Sequence, residues 1–350
     1  MKNQEDIIKI IDNIIYENND LEYSFRNEKK NDWEFFLDKL TFSPVTYSNL
    51  EIDYQLLYRK ELDIIENDLS LIIKYNNNNV CIFPFSVSHN QNGYFLHSFG
   101  LPMHAPIFED NIENQLEKKI CKMLYKVCIN ITNYLKINYW HLEECFLNKK
   151  NYSQWNILLK SKQILKAHNT LEGFVKIPKI GSNLKYSSTL RYDIKKGSEI
   201  WSSEVKYLVT EEEWCSFKKL HIIASGKQTR SDKTWKLQLE DINIKKKAFV
   251  VFSYNDNKKL VGGTFIRFSK STALYAVAVS DRNEWPKPIS HIQQHLAIQE
   301  MQKLNLKWYK LGAIPKEGDF NKPTDKEINI GIFKKKFSTN IFNTYSFVKI

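Results

Sequence analysis

The sequence predicts an α/β (α+β) protein of two tandem units, each a mixed, mostly antiparallel sheet flanked by helices. Three observations carry this prediction. The order strand, turn, strand, strand, loop, helix, strand occurs twice, the copies lying about 180 residues apart when their turns are matched. Helical apolar stripes alternate with β-rich runs bounded by turn residues. The chain has 350 residues, enough for two ordinary cores. The expected division is 1–165 and 166–350, the first copy being the more divergent.

The elements follow in order. Ile7, Ile8, Ile10, Ile11, Ile14 and Ile15 form a helical stripe over 4–17. A second short helix spans 31–40 around Trp33, Phe35, Phe36 and Leu40, an extended entry follows at 44–47, and a helix covers 56–67. Residues 69–75, the turn 76–79 and the return strand 80–87 read as a hairpin, with a third strand at 93–99. Gly100, Pro102 and Pro106 mark a loop before a long amphipathic helix over 111–137 and a short strand at 139–143. Between the copies, 153–167 reads as helix and 178–182 as loop. A basic helix over 184–196 ends on Lys195-Lys196-Gly197, lysines before glycine being a helix-end pattern. Thr210 followed by Glu211, Glu212 and Glu213 forms a T-x-x-E capping box with acid in the first turn. The second copy places strands at 247–254, 260–268 and 272–279, a loop at 281–288, a helix at 289–304 and a strand at 307–311. Near the C-terminus, Phe333 and Phe337 fall on one helical face and enclose Lys334, Lys335 and Lys336. A last strand-like run covers 344–349.

Composition narrows the class. Hydrophobic residues at 42% and aromatics at 13% indicate a globular chain. No window approaches eighteen continuous apolar residues, so no transmembrane segment is expected, and the N-terminus lacks a signal-peptide layout. Cys81, Cys121, Cys128, Cys145 and Cys215 contain no CxxC pair and read as reduced, mostly buried thiols of a cytoplasmic protein. A net charge of +11 admits a polyanionic partner such as RNA or nucleotides. Crowding with Lys, Asn and Ile, as in Asn76-Asn77-Asn78-Asn79, accounts for it equally through coding bias. No nucleic-acid signature accompanies the charge, and no DNA partner is expected.

Several motifs stand in a recognisable order: Leu190-Arg191-Tyr192-Asp193-Ile194-Lys195-Lys196, Val261-Gly262-Gly263-Thr264-Phe265, Tyr275 to Ser280 before a proline-bearing loop, Lys307-Trp308-Tyr309-Lys310-Leu311-Gly312, and Gly331-Ile332-Phe333-Lys334-Lys335-Lys336-Phe337. In these the second half resembles the Fem-type aminoacyltransferases, a branch with two tandem GNAT-like domains. The resemblance covers 184–350 by motif and the first half by element order. It implies acyl transfer to an amine, with an acyl-CoA or aminoacyl-tRNA donor and no tightly bound cofactor. The acceptor it implies is a small-molecule or glycan precursor of cell-envelope polysaccharide, such as a nucleotide-linked amino sugar. An aminoacyl-tRNA-dependent transferase acting on a peptidoglycan precursor is the second reading, and a non-catalytic glycan- or partner-binding module on the same fold is the third. The family's F-K-x-x-F lysine maps to Lys334, proposed there to stabilise the tetrahedral oxyanion. Two departures stand out: Ser338 where the family has glycine, and Lys310 where an acidic residue is common. The glycine-rich loop that seats CoA pyrophosphate at a helix start is missing, since 282–290 contains no glycine.

The candidate residues follow. Lys334 is the oxyanion cation and Asp281, with Glu284 nearby, the proton relay. Arg191, Lys195 and Lys196, at i, i+4 and i+5, can clamp a diphosphate or can simply complement a helix C-terminus. Arg267 reaches a cleft or marks an edge strand. Tyr275, Phe333 and Lys335 line the substrate. Gly262-Gly263 indicates a bulge, a bend or a close ligand approach. His291 and His295 are i, i+4 on a helix, but with no HExxH glutamate and no third ligand no metal site is expected. In the first copy His97, His104 and Phe99-Gly100-Leu101-Pro102 occupy the position of the second copy's loop.

Overall fold

The computed structural model describes residues 4–137, 142–143, 153–162, 165–182, 184–284, 286–319 and 322–349. The chain divides into two compact units. One comprises Met1–Thr41, Tyr47–Thr170 and Asn343–Ile350, the other Phe42–Thr46 and Leu171–Phe342.

The first unit runs α1 (Gln4–Tyr16), β1 (Leu21–Phe25), α2 (Lys30–Lys39), α3 (Asn49–Lys60), β2 (Ile65–Asp68), β3 (Leu71–Tyr75), β4 (Asn78–Phe83), β5 (Ser86–Asn90) and β6 (Gly93–His97). It continues with β7 (Met103–His104), β8 (Ile107–Phe108), α4 (Asn114–Tyr134), β9 (Leu142–Glu143) and α5 (Gln154–Lys160). Its larger sheet has the order β1-β3-β4-β8, a second is β2-β5-β6, and β7 pairs with β9 in parallel. Strand alternation builds two cores. Leu71 and Ile73 of β3 join Ile7 and Ile11 of α1 and Ile120 and Leu124 of α4, whereas Ile72 joins Trp33, Phe36 and Ile52 of α2 and α3.

Several expectations are corrected here. Residues 45–47 form a 3₁₀ turn rather than an extended entry. The helix expected over 56–67 starts at Asn49, where the Ser48 hydroxyl accepts from the Glu51 amide, and β2 takes its expected C-terminal end. The return strand 80–87 is two strands in different sheets, split at Pro84, which offers no N–H to a ladder. Of the strand expected at 139–143, residues 139–141 lie outside the described residues, as does Cys145. Cys81, Cys121 and Cys128 are buried and Cys215 is exposed, all as free thiols. The helix expected over 153–167 stops at Lys160, and a strand begins at Leu165.

That strand, β10 (Leu165–Lys176), leads into the second unit, followed by α6 (Ser188–Ile200), β11 (Ser202–Lys206), α7 (Glu211–Ser225) and α8 (Asp232–Asn243). Then come β12 (Ala248–Tyr254), β13 (Leu260–Phe268), β14 (Thr272–Ser280), α9 (Ile289–Lys303), β15 (Trp308–Ala313), α10 (Asp325–Phe337) and β16 (Asn340–Lys349). The sheet order is β11-β12-β13-β14-β15-β10-β16. β11 to β14 pair antiparallel, and β14 and β15, joined through α9, pair in parallel. Phe249 and Val251 of β12 face a core with α6, α9 and Phe337 of α10. Val250 and Phe252 face one with α7 and α8, containing Trp214, Phe217 and Trp235. The capping box at Thr210 is formed as the sequence predicts, and a second caps α10 at Thr324.

Two glycine readings change. α6 does not end at Gly197 but runs on to Ile200. A Cβ at Gly197 would lie 2.8 Å from the Pro288 carbonyl oxygen and 3.1 Å from Ile292 Cβ, so this glycine lets α6 cross close over α9. Gly262 and Gly263 likewise admit helices rather than a ligand. A Cβ would come 2.6 Å from Ile289 of α9 at the first and 2.7 Å from Phe217 of α7 at the second.

Candidate active site at the parting of β14 and β15

β14 and β15 share only three rungs, Thr272↔Trp308, Ala273↔Tyr309 and Leu274↔Lys310. Beyond the last rung each strand is irregular against its other neighbour. β14 shifts register between Ile266↔Tyr275 and Phe265↔Val277, leaving Ala276 as an extra residue. β15 shifts between Phe174↔Lys310 and Gly173↔Gly312, leaving Leu311 extra. A bulge bends and over-twists its strand, and two bulges just past a shared rung turn the two strands away from each other. The sheet therefore opens at its centre.

Lys334 lies at the β15 side of this opening. It is half-buried, and its Nζ donates to the Ala313 carbonyl oxygen at 3.3 Å. The ammonium stands over Gly312, where an added Cβ would meet it at 3.3 Å and where φ is +88°. Burial and Lys310 draw the lysine pKa down from its ordinary value, and the Glu172 carboxylate opposes them. Glu172, on β10, lies 3.1 Å from Lys310 Nζ. A carboxylate from the neighbouring strand thus stands beside position 310. The signal for β10 in the sequence is the β-forming run Phe174-Val175-Lys176-Ile177, next to the loop at 178–182.

The aromatic frame expected around the lysines is present. Phe333 and Phe337 are 5.4 Å apart, Phe337 is buried, and α10 spans the whole stretch. Ser338 is accounted for by its backbone. It caps α10 at φ −65°, ψ 123°, an extended conformation that needs no glycine, and its hydroxyl donates to the Lys334 carbonyl oxygen at 2.9 Å. Lys335 is exposed, and Lys336 Nζ lies 4.0 Å from Asp193 of α6. Between these helices His291 Nε2 is 3.4 Å from the same Asp193 carboxylate, and its ring packs on Phe333 at 5.2 Å. His295 instead meets the Tyr186 hydroxyl at 3.2 Å. Burial lowers the pKa of both histidines. Among the described residues no group of three or more His, Cys, Asp or Glu side chains is placed to hold a metal ion.

Tyr275 is half-buried directly beyond the last shared rung, its ring edge-on to Tyr309 at 6.4 Å. Arg191, Lys195 and Lys196 are exposed on α6. Lys195 is 3.9 Å from Glu199, and Lys196 lies over the Tyr192 ring at 5.9 Å. Because α6 runs on to Ile200, these cations do not sit in its last turn.

Two further expected site residues make their contacts within the fold. Arg267 lies in β13, an interior strand rather than an edge, and is 1% exposed. Its Nε and Nη2 donate to Asp241 Oδ2 at 2.9 and 2.7 Å, and Asp241 is fully buried. Asp281 accepts from the Asn283 amide at 3.0 Å and from Lys259 Nζ at 3.3 Å, and so holds the turn after β14. In the first unit His97 is enclosed by Arg59, Ser88 and the Gly100 amide, and burial with Arg59 lowers its pKa to about 3. His104 stacks on Tyr47 at 5.1 Å.

No family model matches the chain, and no curated protein matches it by sequence. Solved structures nevertheless share its fold. FemX aligns over 93% of this chain and 96% of its own, with a TM-score of 0.65 at 10% identity. L-PGS from Bacillus licheniformis aligns over 91% of both chains, with a TM-score of 0.55 at 9% identity. A conserved protein of unknown function from Bacteroides thetaiotaomicron aligns over 91% of this chain and 97% of its own, with a TM-score of 0.52 at 11% identity. The chain has the fold of the Fem-like branch that its C-terminal motifs resemble.

Proposed function

We propose that the chain is an acyltransferase that forms an amide on an amine acceptor, a nucleotide-linked amino sugar or surface-glycan precursor. One observation carries the reading: a half-buried lysine ammonium stands over a glycine at the open end of a strand, and among the described residues its one hydrogen bond is a 3.3 Å contact to a carbonyl. Such a cation is free to turn to a stronger acceptor, and a developing oxyanion is one.

The acceptor nitrogen attacks the donor carbonyl carbon, and the displaced electron pair moves to oxygen. Lys334 stabilises that oxyanion. Collapse restores the carbonyl and expels the CoA thiolate or the tRNA 3′-oxygen, which takes up the proton released by the amine. No covalent acyl-enzyme is needed, since holding donor and amine together supplies much of the acceleration. With Asp281 engaged in its turn, Glu172 is the nearer carboxylate to Lys334 and tunes its charge.

An aminoacyl-tRNA-dependent transferase acting on a peptidoglycan precursor is the second reading. The likeness to FemX favours it, and so does the start of α9, where Pro288 is the cap and no glycine precedes it. That start offers no close-approach cradle for a CoA pyrophosphate.

The test is mass spectrometry of uridine-diphosphate amino sugars and muramyl-peptide precursors after incubation with acetyl-CoA or with glycyl-, alanyl- or seryl-tRNA. A mass gain that Lys334→Ala abolishes supports the reading, and the added mass identifies the donor. No gain from any pair, with thermal stabilisation by a glycan alone, would identify a binding module instead.

A further inference from the structure

A second polar feature lies at the same opening, on the α9 face of the sheet. Gln294 is fully buried, and its Oε1 accepts from the Tyr309 hydroxyl at 2.9 Å. Among the described residues its Nε2 has no hydrogen-bond partner. Buried amides are nearly always paired, and an orphaned one at a site calls for an explanation. The Tyr275 ring stands edge-on to Tyr309, which holds that amide, and burial pushes the Tyr275 phenol up to about 12 while Gln294 opposes the rise. The phenol therefore keeps its proton throughout the neutral range. Tyr309, packed in the core, holds the amide from below, and Tyr275 is the half-buried end of the series beside the parting strands.

We infer that Tyr275 selects the acyl group, donating its O–H to a hydroxyl-bearing acyl chain, while Gln294 and Tyr309 position it by supplying an N–H to the phenol oxygen. The inference rests on the transferase reading and deepens it to a substrate class: hydroxyl-bearing acyl groups in preference to their alkyl counterparts. The chemistry is one of hydrogen-bond completion. A bound acceptor draws the Tyr275 proton outward, which makes its oxygen a better acceptor for Gln294 Nε2 and gives the orphaned amide its partner. An alkyl chain leaves both groups unpaired. Sites built around such a hydrogen bond reject the analogue lacking it far more strongly than apolar pockets reject an extra methylene.

Matched probes test it by isothermal titration calorimetry: 3-hydroxybutyryl-CoA against butyryl-CoA, and minihelices of the tRNA 3′ end carrying serine or alanine through a non-transferable amide. The expected result is at least about tenfold tighter binding of the hydroxyl-bearing member in whichever pair binds. Tyr275→Phe should bring that ratio towards one. Tyr309→Phe should reduce it by releasing the amide, a change in selectivity that loss of packing alone would not produce. Equal affinities within a binding pair would overturn this inference and leave the transferase reading standing. A preference that survives Tyr275→Phe would overturn the assignment to Tyr275. Binding of neither pair would overturn the transferase reading and this inference with it.

Discussion

Arg267, on a strand, and Lys334, on helix α10, are both cations of the second unit, and both read from sequence as ligand contacts, yet their surroundings differ sharply. Arg267 is enclosed, with two donors on one buried carboxylate and the Phe265 ring 5.4 Å from its guanidinium carbon. Its binding capacity is committed to the fold. Lys334 is half-buried at a strand end, with one long contact to a carbonyl and a carboxylate on the next strand. The lesson is that a cation's availability follows from how well it is already paired, and charge pattern alone does not report that.

The largest expected effect is on the committed side. Asp241→Ala leaves the Arg267 guanidinium buried without its carboxylate and should cost about 3–5 kcal/mol of stability, read from urea unfolding. A loss below about 1 kcal/mol would mean that the pair is not the anchor described here. Next is the available side. Lys334→Ala should lower kcat by about 10²–10³-fold, the typical value of one oxyanion contact, with little change in melting temperature. A variant that melts early instead would place Lys334 with Arg267 as a structural cation. Gly197→Ala should destabilise by about 1–3 kcal/mol through overpacking of α6 on α9, measured by denaturation. A neutral outcome would show that this helix crossing is looser than the contact distances imply.

Two smaller effects sharpen the comparison. The Lys334 pKa is lowered, so its ammonium deprotonates at lower pH than an ordinary lysine, and activity should fall on the alkaline side as pH rises through that value. Glu172 opposes the lowering, so Glu172→Gln should move the alkaline limb of the pH–rate profile further towards neutrality. A limb that stays in place would detach Glu172 from the site. Smallest of all, Arg191→Ala on the exposed face of α6 should alter stability by no more than about 0.5 kcal/mol and should act only on KM, if it clamps a diphosphate. An unchanged KM would leave α6 with its structural role.

Residue pattern alone made the second unit's centre legible. Its β12, β13 and β14 fall within one or two residues of the expected spans, because period-two alternation between two helical layers is written into each strand. The capping box at Thr210 and the shared face of Phe333 and Phe337 were legible for the same reason, since each is a relation between residues three or four apart. Pro84 is a local signal of the same kind, since its missing N–H marks where the return strand splits into β4 and β5.

What only the tertiary structure decided depends on partners far apart in the chain. Glu172 stands beside Lys310 and Lys334 because β10 pairs with β15 across about 140 residues, and no local period encodes that neighbour. Gly197 reads as a helix end until α9 is known to lie against it, and Arg267 reads as an edge charge until Asp241 of α8 closes over it. Residue pattern sets which faces each element buries, and the resemblance to the F-K-x-x-F segment singles out Lys334 among the three lysines of α10. Long-range packing determined which of the chain's charges were neutralised, because pairing and desolvation depend on neighbours that only the fold brings within a few ångströms.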